Sequence, residues 1–170
     1  MNFDKAFELV VGHEGGFTDN RKDAGNWTGG KVGVGTLKGT KYGIAANSYP
    51  NLDIKNITLD QAKAIYKRDY WDRIKADQLP GALRFHVFDM AVNAGVGRGV
   101  KLLQKTVGTN QDGIIGPATI GAANRIDMDY AVQVYNSNRI EFYTSLNTFS
   151  DFGRGWMNRV ARNLKLGAAN

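Results

Sequence analysis

At 170 residues, 42% apolar and 11% aromatic, the chain is long enough to bury a core of its own and too apolar for intrinsic disorder. It has no cysteine, which excludes disulfides and thiolate metal sites, and its two histidines are too few for an all-histidine zinc site, so no metal or other cofactor is expected. The net charge of +6 draws the chain toward polyanions, but the basic residues are spread out and form no nucleic-acid motif, so nucleic acid is not an expected partner.

The first segment places Phe3, Phe7, Val10 and Glu14 at steps of four, three and four, which puts them on one face of an amphipathic helix that Gly15 and Gly16 should end. Its start, "MNFDKAFELVVGHEGG", has neither a basic opening nor a cleavage site, so no export signal is visible and synthesis in the cytoplasm is expected. Residues 15–43 are dense in glycine, with a weak alternation in "KVGVG" (31–35), and read as a β-hairpin or a set of turns. Thr58 and Gln61 make a capping box for a helix through about Trp71. Pro80 sits near the start of "GALRFHVFDMAVNAG", which Gly95 stops, and "GRGVKLLQKTVG" follows as another helix. The turn "NQDGIIGP" puts Pro117 in a first helical turn, Asp127 caps "MDYAVQVYNSNRIEFYTSL", and "GWMNRVARNLKL" closes the chain. The fold class is mostly α, with one small β-hairpin or loop element near the N-terminus.

Glu14 departs from the usual solvated helix glutamate. The apolar face disfavours its ionised form through burial, and the negative end of the helix dipole disfavours it by about 0.3–1 kcal/mol. Both effects favour a carboxyl that holds its proton near neutral pH, as a glycosidase general acid must. Such an enzyme also needs a polar group across the scissile bond. Asp19 and Asp23 are the nearby candidates, each equally readable as a turn or capping aspartate.

Further along, Asp89 and Asn93 lie four apart on one helix face, either holding the fold by hydrogen bonds or lining a cleft. Tyr42, Tyr70 and Trp71 are candidates for stacking on sugar rings; Tyr42 is assigned to the cleft and Trp71 to the core. The last helix carries Trp156 and Val160 with Arg159, Arg162 and Lys165, a pattern that fits docking on its own core better than weak contact with an anionic membrane.

Taken together and in order, "HEGGFTDNRKDAGNWTGG", "GTKYGIA", "YWDRI", "FDMAVNAG" and "QDGIIGPATI" resemble glycoside hydrolase family 108, the muramidases common among phage endolysins, with the peptidoglycan-binding-like segment that follows them. The resemblance implies one lysozyme-like domain over 1–170, with 1–80 as the catalytic part and 81–170 as a helical part carrying the peptidoglycan-binding-like motif. It implies hydrolysis of the β-1,4 bond between N-acetylmuramic acid and N-acetylglucosamine, by a monomer made in the host cytoplasm and acting on the wall. Glu14 matches the catalytic glutamate of "EGG". The wider lysozyme-like group often adds an aspartate nine positions later and a threonine; Asp23 has that offset, Asp19 does not, and Thr40 of "TKYGI" takes the threonine place. Tyr42, Asp89 and Asn93 become the sugar-binding candidates.

The stretch over 24–39 departs from the family's compact aspartate-proline-glycine-glycine pattern and would lengthen the β element at the cleft mouth. Two rival readings are a lytic transglycosylase, with Glu14 as both acid and base, and a non-catalytic wall-binding module resting on "QDGIIGP" and the positive charge.

Overall fold

The computed structural model describes residues 1–12 and 16–167. Its described residues form seven α-helices, α1 (Phe3–Val11), α2 (Leu59–Tyr66), α3 (Gly81–Ala94), α4 (Val96–Val107), α5 (Pro117–Ala123), α6 (Met128–Thr144) and α7 (Phe149–Gly167), and one two-stranded antiparallel sheet, β1 (Thr40–Lys41) with β2 (Ile44–Ala45). Short 3-10 turns lie at Ala24–Asn26, Ile54–Asn56 and Ala76–Gln78, and a π turn at Lys67–Trp71. The mostly α class with one small hairpin near the N-terminus is what the sequence predicts. The chain divides into two compact units, Met1–Ala6 with Arg68–Asn170, and Phe7–Lys67.

In the larger unit α3 is the central helix and packs against α4, α6 and α7. Leu83, Phe85, Val87, Phe88, Met90 and Ala91 are all buried, so α3 is enclosed around most of its circumference, as a helix with no solvent face must be. Gly99 lets α4 approach closely, because a Cβ there would stand 3.2 Å from Val87 O and from Ala91 N. Trp71, fully buried, packs edge-on to Phe3 and Phe88 and donates from Nε1 to Asp77 Oδ1 at 3.0 Å, so its assignment to the core holds. The "QDGIIGP" turn is packed down by the buried Gln104, whose Nε2 donates to Asp112 Oδ1 at 2.7 Å and whose Oε1 accepts from Gly113 N at 2.9 Å.

The smaller unit is built around Phe7, Ile44, Ile54, Ile57, Ile65 and Tyr66. The capping box is present in full: Thr58 Oγ1 accepts from Gln61 N at 3.2 Å, and Gln61 Oε1 accepts from Thr58 N at 2.8 Å. Helix α2 proper ends at Tyr66, the remaining stretch to Trp71 being the π turn.

Three expectations are corrected. Helix α1 stops at Gly12, not at Gly15 and Gly16: Gly12 takes φ +74° and donates its N–H to Glu8 O at 2.9 Å, a left-handed C-terminal cap. The periodic match at Glu14 is not tested, because His13, Glu14 and Gly15 lie outside the described residues. The alternation at 31–35 forms no strand. Gly33 and Gly35 take positive φ, Val32 and Val34 are exposed, and the strands form at 40–45 instead. Helix α7 begins at Phe149, ahead of Gly155, where the sequence predicts its start, and Gly153 leaves room within it for the Phe149 ring, which a Cβ would meet at 2.6 Å.

Candidate active site

Asp23, Thr40 and Tyr42 belong to the smaller unit, and local chemistry sets each of them. Asp23 is the N-cap of the 3-10 turn Ala24–Asn26: its Oδ1 accepts from Gly25 N at 2.9 Å, and its carbonyl accepts from Asn26 N at 3.2 Å. The side chain is otherwise exposed, and Oδ2 has no partner among the described residues. The cap leaves one carboxylate oxygen free, so capping and a role toward substrate are compatible in this residue.

Asn26 closes the same turn and is fully buried. Its Nδ2 donates to Asn20 O at 3.1 Å, and its Oδ1 accepts the Thr40 hydroxyl at 2.7 Å. Its carbonyl accepts from Lys38 N at 3.0 Å and from Gly39 N at 3.1 Å. A buried side-chain amide satisfied on both ends is a fixed group, and this one ties Thr40 to the turn that Asp23 caps.

The glycine-rich excursion between these residues is a closed arm. Trp27 bridges to Leu37, Thr28 N donates to Thr36 O at 3.0 Å, and Gly29 N donates to Val34 O at 3.1 Å. Trp27 Nε1 donates to Arg21 O at 2.9 Å. Because the arm leaves and returns at Asn26, its extra length does not part Thr40 from the Asp23 turn. The residues of 24–39 thus add a projecting ladder with Val32 and Val34 exposed near its tip.

Thr40 pairs with Ala45 across the hairpin and exchanges backbone hydrogen bonds with Thr18, at 2.8 and 2.9 Å. The turn residues Tyr42 and Gly43 take φ +51° and +74°, the positive values a two-residue type I′ hairpin needs. A tyrosine at the first of these positions is strained, and tertiary contacts hold it. Tyr66 donates its hydroxyl to Tyr42 O at 3.1 Å, and a Cβ on Gly43 would meet that hydroxyl at 2.3 Å. The Lys41 ammonium lies 5.4 Å from the centre of the half-buried Tyr42 ring.

Asp89 and Asn93 lie in the larger unit. Asp89 is buried and holds two arginines: Arg139 Nη2 reaches Oδ2 at 2.5 Å, and Arg159 reaches Oδ1 at 2.7 Å. Burial alone would raise the Asp89 carboxyl, but the Arg139 guanidinium and the bond from Arg159 outweigh it and keep it below the usual carboxylate range. Both oxygens are therefore spent inside the fold, which is the hydrogen-bonding alternative for this residue and not the cleft-lining one. Asn93 is exposed, and its Nδ2 donates to the buried Tyr143 hydroxyl. Tyr143 stacks on Trp156 at 5.0 Å, so the aromatic side of α7 docks on α6.

Sequence reasoning missed Asn26, Tyr66, Arg139 and Arg159. The spacing Asp-x-x-Asn is visible but carries no mark of burial, and Arg139 looks like any arginine on a helix. Among the described residues no group of three or more His, Cys, Asp and Glu is placed to hold a metal ion.

The sequence profile described as Glycosyl hydrolase 108 matches residues 7–95, and that of a Predicted Peptidoglycan domain matches residues 98–161. The structure of Brucella abortus SagA is similar over 98% of this chain and 94% of that one, at 32% sequence identity and a TM-score of 0.81. Among curated proteins none matches.

Proposed function

The chain belongs to the glycosyl hydrolase 108 family, whose glycoside hydrolase chemistry acts on peptidoglycan, and from that premise we propose that it is an N-acetylmuramidase. The bond cleaved is the β-1,4 link between N-acetylmuramic acid and N-acetylglucosamine. Glu14 is the general acid that protonates the leaving oxygen. Asp23 and Thr40 receive the attacking water, whose proton passes to the Asp23 carboxylate as its oxygen bonds to the sugar carbon.

The observation that carries this reading is the Asp23–Asn26–Thr40 connection. Thr40 spends its one hydroxyl proton on Asn26, so only lone pairs remain to face substrate or water. Asp23 keeps one carboxylate oxygen uncommitted. A water that donates one proton to each of these acceptors turns its own lone pair outward, which is the orientation a nucleophile needs. No metal enters the scheme.

Synthesis in the host cytoplasm, action on the wall as a phage-type endolysin, and a monomeric state belong to the same proposal. The test is Glu14→Gln, measured as turbidity loss of purified peptidoglycan alongside a thermal melt. The amide keeps the shape of the side chain but has no acidic proton, so a folded and inactive variant is expected. A folded variant that clears peptidoglycan at the parent rate refutes the assignment. Products ending in anhydro-sugars would make the enzyme a lytic transglycosylase instead.

A further inference from the structure

Beside the hairpin, the smaller unit contains an open cleft of about 480 Å³, lined by Phe17, Asp19, Lys38, Asn51, Asp53 and Lys55 among others. Its volume is within the range of small-ligand sites, about 300–1,000 Å³. Phe17 and Asp19 flank in sequence Thr18, the residue that pairs with Thr40.

Phe17 is held in place by its neighbours. The ring lies against Gly39, where a Cβ would stand 2.6 Å from it, and Gly39 itself takes φ +81°. Phe17 as a residue remains 36% exposed, which is high for a phenylalanine. Around it stand planar polar groups. Asp19 and Asn51 have no side-chain partner among the described residues, and Asp53 accepts only from Asn56, at 2.8 Å. Lys38 is tied back to Pro50 O at 2.6 Å. Two carboxylates and two ammonium groups balance, so the cleft has no net attraction for an anion.

An exposed aromatic face ringed by uncommitted carboxylate and amide groups, with balanced charge, fits a ring that is apolar on one face, hydroxylated at its edge and uncharged. We propose that this cleft is a sugar subsite, taking one neutral N-acetylated ring of the glycan strand with its apolar face on Phe17 and its hydroxyls on Asp19, Asn51 and Asp53. The proposal rests on the glycan-hydrolase reading and adds to it a binding site that Glu14, Asp23 and Thr40 do not form.

The experiment is a calorimetric titration of the full chain carrying Glu14→Gln with chito-tetraose, a neutral oligomer of N-acetylglucosamine, repeated in Phe17→Ala, Phe17→Trp and Asp19→Ala backgrounds whose folding is checked by melting. Loss of the stacking face should weaken binding about tenfold in Phe17→Ala, while Phe17→Trp stays near the parent. Asp19→Ala should also weaken it, and raising the salt concentration should leave the parent affinity unchanged. In the hydrolytic chain, Phe17→Ala should raise KM and spare kcat. Absence of chito-tetraose binding, equal affinity in folded Phe17→Ala, or affinity that collapses with salt overturns the subsite. Failure of the acid assignment is read separately, from Glu14→Gln on peptidoglycan.

Discussion

Thr40 Oγ1 donates to Asn26 Oδ1 at 2.7 Å, and Asn26 is fully buried in the turn that Asp23 caps. Removing the amide frees the Thr40 hydroxyl to rotate and leaves Asn20 O and the threonine proton without their partner. Asn26→Ala is expected to cost about 1–3 kcal/mol in chemical denaturation and to lower kcat on peptidoglycan, whereas Thr40→Ser, which keeps the hydroxyl, retains most of the rate. A folded Asn26→Ala with the parent kcat would show that the orientation of Thr40 is irrelevant to turnover.

Tyr42 carries strain that its side chain does not need for folding. Asparagine tolerates the left-handed region far better, so Tyr42→Asn should raise the melting midpoint by a few degrees, corresponding to about 1 kcal/mol of relieved strain. If the ring contacts the glycan, hydrolysis should fall in the same variant. Melting curves and initial rates of clearing measure both; a lowered midpoint would mean that the Lys41 ammonium over the ring outweighs the strain.

The Asp89–Arg139 pair is buried on both sides. Asp89→Asn leaves the Arg139 charge without its counterion in the core, a change expected to cost about 3–5 kcal/mol. Urea denaturation followed by circular dichroism gives the number. A cost below 1 kcal/mol would show that Arg139 finds other compensation, and a folded variant changed only in KM would return Asp89 to the sugar-binding role.

His86 is buried between α3 and α6, with Nδ1 facing Asn136 Nδ2 at 3.2 Å. Burial, reinforced by the Arg139 charge, pushes its pKa from 6.5 down to about 4. Between those values the unfolded chain takes up a proton that the folded chain refuses, so stability falls as pH drops from about 6.5 to about 4, by roughly 3 kcal/mol for this group. Melting midpoints across that window should decline in the parent and decline less in His86→Leu, which has nothing to titrate. Parallel curves for the two proteins would remove His86 as the cause.

Much of the helical framework is readable from local chemistry. Thr58 with Gln61, Pro80, Gly95, Pro117 and Asp127 each start or stop a helix by satisfying or withholding backbone hydrogen bonds within a few residues, so their effect is encoded where they stand. The motif order that marks the glycosyl hydrolase family is likewise a property of the chain. What depends on distant partners is not readable in that way. Asn26 and Arg139 look polar and ordinary in sequence, yet one binds Thr40 and the other Asp89 across the fold, and burial makes those bonds matter. The glycines mislead for the same reason. Gly153 continues a helix with the Phe149 ring lying against it, Gly39 lies under Phe17, and the strands form at 40–45, where Thr18 pairs with Thr40 and Tyr66 braces the turn, and not at 31–35, where Gly33 and Gly35 take positive φ and Val32 and Val34 stay exposed. Local hydrogen bonding determined where helices begin and end; close packing between segments far apart in the chain decided which polar groups became fixed and where the hairpin formed.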